Sequence, residues 1–331
     1  MRKIMKKISA ILLTVMWLAA VSLTGCSSKE DTPQTEVNVI ALKGPTAMGL
    51  VQFMNQADSG ELTDNHYSFE IAAAVDEVTP QIAQGKVDIA AVPANLASVL
   101  YNNTKGNVQV LAINTLGVLY IVESGDTITS VEELKGKTIY ASGKGATPEY
   151  ALHFILSQNG IDPEKDVTIE WKSEHTECLA ALMAQEGAIA MLPQPFVTTA
   201  QAKSADIRVA LDLTQEWDKL STDSSLLTGV IVARKEFVEE NPDAVKAFME
   251  HYKASVEYVN ENVEDAAKLI EQYDIVPAAV AVKAVPNCNI TFIARDEMKT
   301  KLSGYLSVLF EQNPQAVGGA LPEDDFYFHM Q

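Results

Sequence analysis

Lys137-Thr138-Ile139-Tyr140-Ala141-Ser142-Gly143-Lys144-Gly145-Ala146-Thr147-Pro148-Glu149-Tyr150-Ala151-Leu152 reads as a strand over 137–141, a loop holding two glycines, and a helix start. The helix places Ala151, Leu152, Ile155 and Leu156 at helical spacing and stops at Asn159-Gly160, a pair that favours a helix C-terminus. Upstream, Ser130 caps a short turn over 131–134; downstream, apolar runs at 167–171, 188–192 and 208–211 read as strands. The same grammar occurs once before. Val37 to Leu42 predicts a strand, and Lys43-Gly44-Pro45-Thr46 turns into a helix through about Gln56. A strand at 67–74, a helix at 77–84 ended by Gly85, and a strand at 88–92 follow. Pro93 opens the next helix, where its missing N–H costs no hydrogen bond. Short β-branched runs alternating with longer amphipathic stretches predict an α/β chain.

A first βα block, its restart after Asp126, and a helical return from Lys235 to the end predict two lobes joined by two crossings. The strands at 118–122 and 229–234 are the natural crossings. The expected organisation is one lobe of 37–116 plus 229–331 and a second of 117–228, and 331 residues suffice for two cores. Gly229 is most simply read as backbone slack at the second crossing.

Arg2, Lys3, Lys6 and Lys7 open the chain without an acidic residue, and 8–23 is apolar apart from Ser9, Thr14 and Ser22. A basic start, a short apolar run and small residues before a cleavage point describe an export signal, shorter than a membrane span requires. The run ends in Leu23-Thr24-Gly25-Cys26, which is similar to a bacterial lipobox. That likeness implies removal of residues 1–25, acylation of Cys26 and a flexible tether over 26–36. Loss of the signal's four positive charges takes the net charge from −19 to about −23. So acidic a body repels nucleic acid and an anionic membrane face, leaving the lipid as the only membrane contact. Cys178 and Cys288 could pair outside the cytoplasm, but nothing in the sequence brings them together.

Four segments carry a resemblance to a known family. They are Val87-Asp88-Ile89-Ala90 after Gly85, Val131-Glu132-Glu133-Leu134-Lys135-Gly136-Lys137-Thr138-Ile139, Gly160-Ile161-Asp162-Pro163-Glu164-Lys165-Asp166-Val167, and Thr228-Gly229-Val230-Ile231-Val232. The chain resembles the substrate-binding lipoproteins of ABC importers, in the branch that includes binding proteins for nitrate, sulfonates, taurine and thiamine-pyrimidine precursors. The resemblance implies a two-lobed, periplasmic-binding-protein-like fold of type II. Each lobe would be a mixed sheet flanked by helices, and the pair would close about a hinge on its solute. It further implies no catalysis and no cofactor. The partners would be a small-molecule solute and ABC permease subunits, served by a monomer held at the extracytoplasmic face of the cell membrane.

In open α/β sheets, ligands sit beyond the carboxyl ends of strands, where helix starts present unpaired N–H groups. Gly44, Pro45, Thr46 and Ala47 follow the first strand, Pro93 and Asn95 the third, and Ala146, Thr147 and Glu149 the strand at 137–141. All are candidate ligand contacts, and plain turns or helix caps account for the same residues. Asn114 beside the first crossing, Gln194 between two prolines, and Thr228 at the second crossing complete the set. Glu149 suits the helix dipole, or could accept N–H groups from an amine or aminopyrimidine. After Cys26, Arg occurs only at 208, 234 and 295, so a guanidinium clamp on a carboxylate or sulfonate would need Arg234. Lys43 and Lys144 could act as point charges. A small polar or heteroaromatic solute is expected. The five His are scattered, and neither HExxH nor GxSxG occurs. An extracytoplasmic enzyme or accessory lipoprotein on the same fold, built on His175, Cys178 and Glu149, is the second reading.

Overall fold

The computed structural model describes residues 34–221 and 223–329. The signal over 1–25, Cys26 and the tether up to residue 33 lie outside the described residues. The strands are β1 Thr35–Leu42, β2 Asn65–Ala72, β3 Ile89–Pro93, β4 Val108–Leu116, β5 Leu119–Ser124, β6 Thr138–Ser142, β7 Thr168–Lys172, β8 Ile189–Pro193, β9 Ile207–Asp212, β10 Leu227–Arg234 and β11 Ile290–Ile293. They form two mixed sheets, ordered β11-β4-β10-β3-β1-β2 and β7-β6-β8-β5-β9.

The two sheets repeat one plan. β1 lies parallel between β2 and β3, and β6 parallel between β7 and β8. Each sheet then carries one antiparallel strand beside its third strand: β10, from far along the chain, between β3 and β4, and β5, from just before β6, between β8 and β9. The third strand of each plan is short and apolar, IAAVP in β3 and IAMLP in β8, with its first four residues buried. Helices cover both faces of such strands, which is why they read as continuous apolar runs instead of alternating ones. The fold is therefore α/β with two helix-flanked mixed sheets, as the sequence predicts.

Packing explains several sequence choices. Phe53 of helix Val51–Asp58 stands edge-on to Tyr67 at 4.7 Å and meets Phe248 of helix Pro242–Glu261. In the other half Trp217 packs on Phe154 at 4.3 Å, and its indole N–H donates to Ser224 Oγ, satisfying a buried polar atom. Asp212 ends β9 and caps helix Leu213–Leu220, accepting from the N–H groups of Thr214 and Gln215. An Asp212→Ala variant should lose about 1 kcal/mol, read as a lower urea midpoint at unchanged slope, and an unchanged midpoint would show that the cap is idle.

Two sequence readings change. Arg234 is no clamp: its Nη2 donates to Asp88 Oδ1 at 2.7 Å and its Nε to the Val87 carbonyl, next to the amino end of β3. Asp88 also accepts from the Asn38 backbone, so the pair pins β1, β3 and β10 together. Gly229 is not slack. A Cβ there would lie 2.4 Å from both Asn114 Oδ1 and Thr46 Cγ2, so the position demands the absence of a side chain. Cys178 and Cys288 are both buried free thiols.

Helix Arg295–Gln312 touches both halves. It packs on β4 and on helix Ala94–Asn103, while Gln312 Nε2 donates to the Tyr150 carbonyl in helix Thr147–Gln158. No helix among the described residues is long and apolar enough to cross a membrane.

Candidate functional site

The carboxyl ends of β1 and β3 face those of β6 and β8 across a cleft. Its smaller chamber, about 380 Å³, is reached by Pro45 and Thr46 after β1, by Pro93 and Asn95 after β3, and by Ala146, Thr147 and Pro148 after β6. A second chamber of about 510 Å³ extends outward to Gly44, Gln194, Phe196 and the apolar strip Ile275 to Val280. Both chambers share Lys43, Pro45, Val118, His175, Pro193 and Thr228.

Of the sequence candidates, Gly44, Pro45, Thr46, Pro93, Asn95, Ala146, Thr147, Gln194 and Thr228 therefore line the cleft. Three do not. Ala47 is fully buried beneath its turn, and Asn114 is fully buried behind it, its Nδ2 donating to the Thr46 carbonyl at 3.0 Å. Glu149 accepts from the Gly145 N–H at 2.6 Å, closing the loop at its own helix start. Gln194, though at the cleft, directs Oε1 to the N–H and hydroxyl of Thr198, which holds the start of helix Phe196–Lys203. The enzyme reading loses its reactants: Glu149 is engaged with the backbone, and Cys178 is fully buried with burial pushing its thiol pKa up.

Sequence reasoning missed the apolar part of the lining. Val118 and Leu119 belong to the first crossing and Leu226 to the second, and Leu42, Val75 and Leu96 add to them. Their signal was position, not type: residues entering and leaving the crossing strands must pass the strand ends where the two sheets face. The sequence offers His175 to the enzyme reading and not to the solute. It heads helix His175–Ala184 and lines both chambers.

Charge is nearly absent from the cleft. Lys43 sits at the rim with its Nζ 3.2 Å from Asp274 Oδ2, and neither chamber is lined by Arg, Asp or Glu. Burial holds the His175 pKa below its ordinary value, with the Glu174 charge opposing. Thr147 Oγ1 lies 2.9 Å from the Tyr305 hydroxyl and 3.5 Å from Asn95 Oδ1, so the first and second sheets' helix starts meet at the cleft floor over helix Arg295–Gln312. Burial raises the Tyr305 pKa, keeping that hydroxyl protonated. Among the described residues no group of His, Cys, Asp and Glu is assembled to hold a metal ion. Such a cleft can enclose a small molecule with an apolar body and satisfy a few hydrogen bonds.

Strand ends of two sheets facing each other around a largely apolar cleft are the arrangement expected of a solute-binding protein. A family model described as ABC transporter, phosphonate, periplasmic substrate-binding protein matches residues 60–283, and the chain belongs to that family of transport proteins. Among solved structures, the chain is similar to an ABC transporter protein from Parabacteroides distasonis at 22% identity and TM-score 0.74, covering 90% of this chain and 100% of that one. It is also similar to the periplasmic aliphatic sulphonate binding protein SsuA from Escherichia coli, at 14% identity and TM-score 0.68, covering 88% of this chain and 96% of that one. The ligand-binding component of an ABC-type import system from Staphylococcus aureus, solved with zinc bound, follows at 17% identity and TM-score 0.65, covering 89% and 97%. At these identities the likeness concerns the fold. No curated protein sequence matches the chain.

Proposed function

We propose that the chain captures an uncharged, largely apolar small solute, heteroaromatic in character, and delivers it to the permease of an ABC importer. The observation that carries this reading is the cleft lining: hydroxyls, two amides and an imidazole set among Leu, Val and Pro, with a single rim cation already paired to Asp274. A phosphonate or sulfonate would leave water for a site without a guanidinium partner, a costly transfer for a buried anion. The four quoted segments support membership of the nitrate, sulfonate, taurine and thiamine-precursor branch, with a cargo unlike its anionic ones. In this reading the chain crosses between lobes at 118–122 and 229–234, joining a lobe of 37–116 plus 229–331 to a lobe of 117–228. Cys26 anchors the mature monomer by its lipid at the extracytoplasmic face of the cell membrane, after loss of residues 1–25.

Native mass spectrometry of the purified protein should release an intact small molecule, and adding that molecule back to stripped protein should reduce the radius of gyration in X-ray scattering. Millimolar methylphosphonate and ethanesulfonate should leave the melting temperature unchanged. Stabilisation by either anion, or turnover of the co-purified molecule, would overturn the reading.

A further inference from the structure

The polar groups of the cleft are largely committed inward. Thr46 Oγ1 donates to the Leu42 carbonyl at 2.7 Å, Asn95 Nδ2 donates to the Ala316 carbonyl, and the Thr147 hydroxyl is shared with Tyr305. His175 differs. Its Nδ1 lies 2.5 Å from Ser142 Oγ, at the end of β6, and its Nε2 has no partner among the described residues while the ring lines both chambers. The Phe196 ring, 5.0 Å away and tilted by 51°, flanks the imidazole from the adjoining helix.

Which nitrogen carries the proton follows from Ser142. Burial disfavours the imidazolium, and the neutral ring has one donor and one acceptor. Ser142 is itself buried, and its hydroxyl also lies beside the Cys178 thiol, a weak acceptor and a weak donor. A hydroxyl proton is better placed on an imidazole nitrogen than on a thiol sulfur. Ser142 therefore donates to Nδ1, and the ring proton resides on Nε2. The charged groups around the ring do not change this. Glu174 precedes it and accepts from the Thr176 hydroxyl, Lys172 lies over the Tyr140 ring, and Lys43 across the cleft is paired with Asp274.

We propose that His175 is the specificity-determining donor of the cleft, its Nε2–H fixed outward by Ser142 and offered to an acceptor on the solute. The class of ligand is then an apolar body bearing a carbonyl oxygen or pyridine-type nitrogen where the two chambers meet. A solute presenting an N–H there is refused, because it would set donor against donor. This recognition role rests on the capture reading above; the tautomer does not.

The full chain, labelled with ¹⁵N-histidine, tests both parts. Long-range ¹H–¹⁵N spectra at neutral pH, with His175 assigned by its loss in His175→Gln, should show a protonated Nε2 and a bare Nδ1. Ser142→Ala should mix the tautomers while the other four His signals stay in place. A protonated Nδ1, an imidazolium, or indifference to Ser142→Ala overturns the assignment. Quinoline and indole, matched flat probes offering an acceptor and a donor, should differ at least about tenfold in affinity in favour of quinoline, with the preference gone in His175→Phe. Equal affinity, or no quinoline binding, overturns the recognition role even where the tautomer stands. Failure of the capture reading would show separately, as the absence of a co-purified solute and of lobe closure.

Discussion

Glu123→Ala should remove about 3 kcal/mol of stability, the low end for breaking a buried ion pair because Arg208 keeps about a third of its surface in solvent. The Glu123 side chain is fully buried, and its two oxygens accept from the Thr127 N–H and hydroxyl, the Ile128 N–H and Arg208 Nη2 at 2.7 Å. Arg208 also donates to the Gly125 and Ile128 carbonyls, so the cluster ties the loop after β5 to β9. Burial pushes the Glu123 carboxyl pKa up, but the hydrogen bonds and the guanidinium outweigh it and the net shift is downward. A depressed carboxylate stabilises the fold fully above the ordinary glutamate value of about 4.3, and that contribution is lost as pH falls through the folded value. Glu123→Gln should therefore be clearly weaker than the wild type at pH 7, and the gap in urea midpoint should close on going below about pH 4. A gap that stays constant across that range would refute the role of the charge.

Gly229→Ala should cost about 3 kcal/mol, the upper end of overpacking. The new Cβ would stand 2.4 Å from Asn114 Oδ1 and from Thr46 Cγ2, contacts that no rotamer can relieve because Cβ is fixed by the backbone. Asn114 is fully buried and holds the Thr46 carbonyl, so the neighbour that yields is the helix start at the cleft. The same substitution should therefore weaken capture of the co-purified solute beyond what instability alone explains, by about tenfold if one hydrogen bond at Thr46 is displaced. Titration well below the unfolding temperature separates the two effects. A stable variant with unaltered affinity would show that β10 can shift without moving the cleft.

The sequence made the strands legible to within a few residues, because β3 and β8 are apolar runs closed by proline and β6 opens on Thr138-Ile139-Tyr140 and is closed by a glycine loop. β11 escaped. It is a four-residue edge strand between Asn289 and the Arg295 helix, paired with β4 at only Thr115 and Ile113, and it has too few residues to show a period. At the site, helix starts were readable from Gly, Pro and Thr following strands. Glu149 and Asn114 could not be sorted the same way, since a carboxylate facing Gly145 and an amide facing Thr46 look identical in sequence to groups facing a solute. His175 depends on Ser142, thirty-three positions earlier, a juxtaposition that only the sheet supplies.

The strand order of the first sheet also dictates a sequence of events. β3 and β4 are not neighbours; each pairs with β10, which lies more than a hundred positions further along the chain. During synthesis or after passage through a membrane, residues 35–116 thus emerge with their central partner missing, leaving one edge of β3 and both edges of β4 bare. The second sheet draws all its strands from 119–212 and can assemble without waiting. The half that emerges first is therefore the last to be completed, and long-range pairing of this kind is slow.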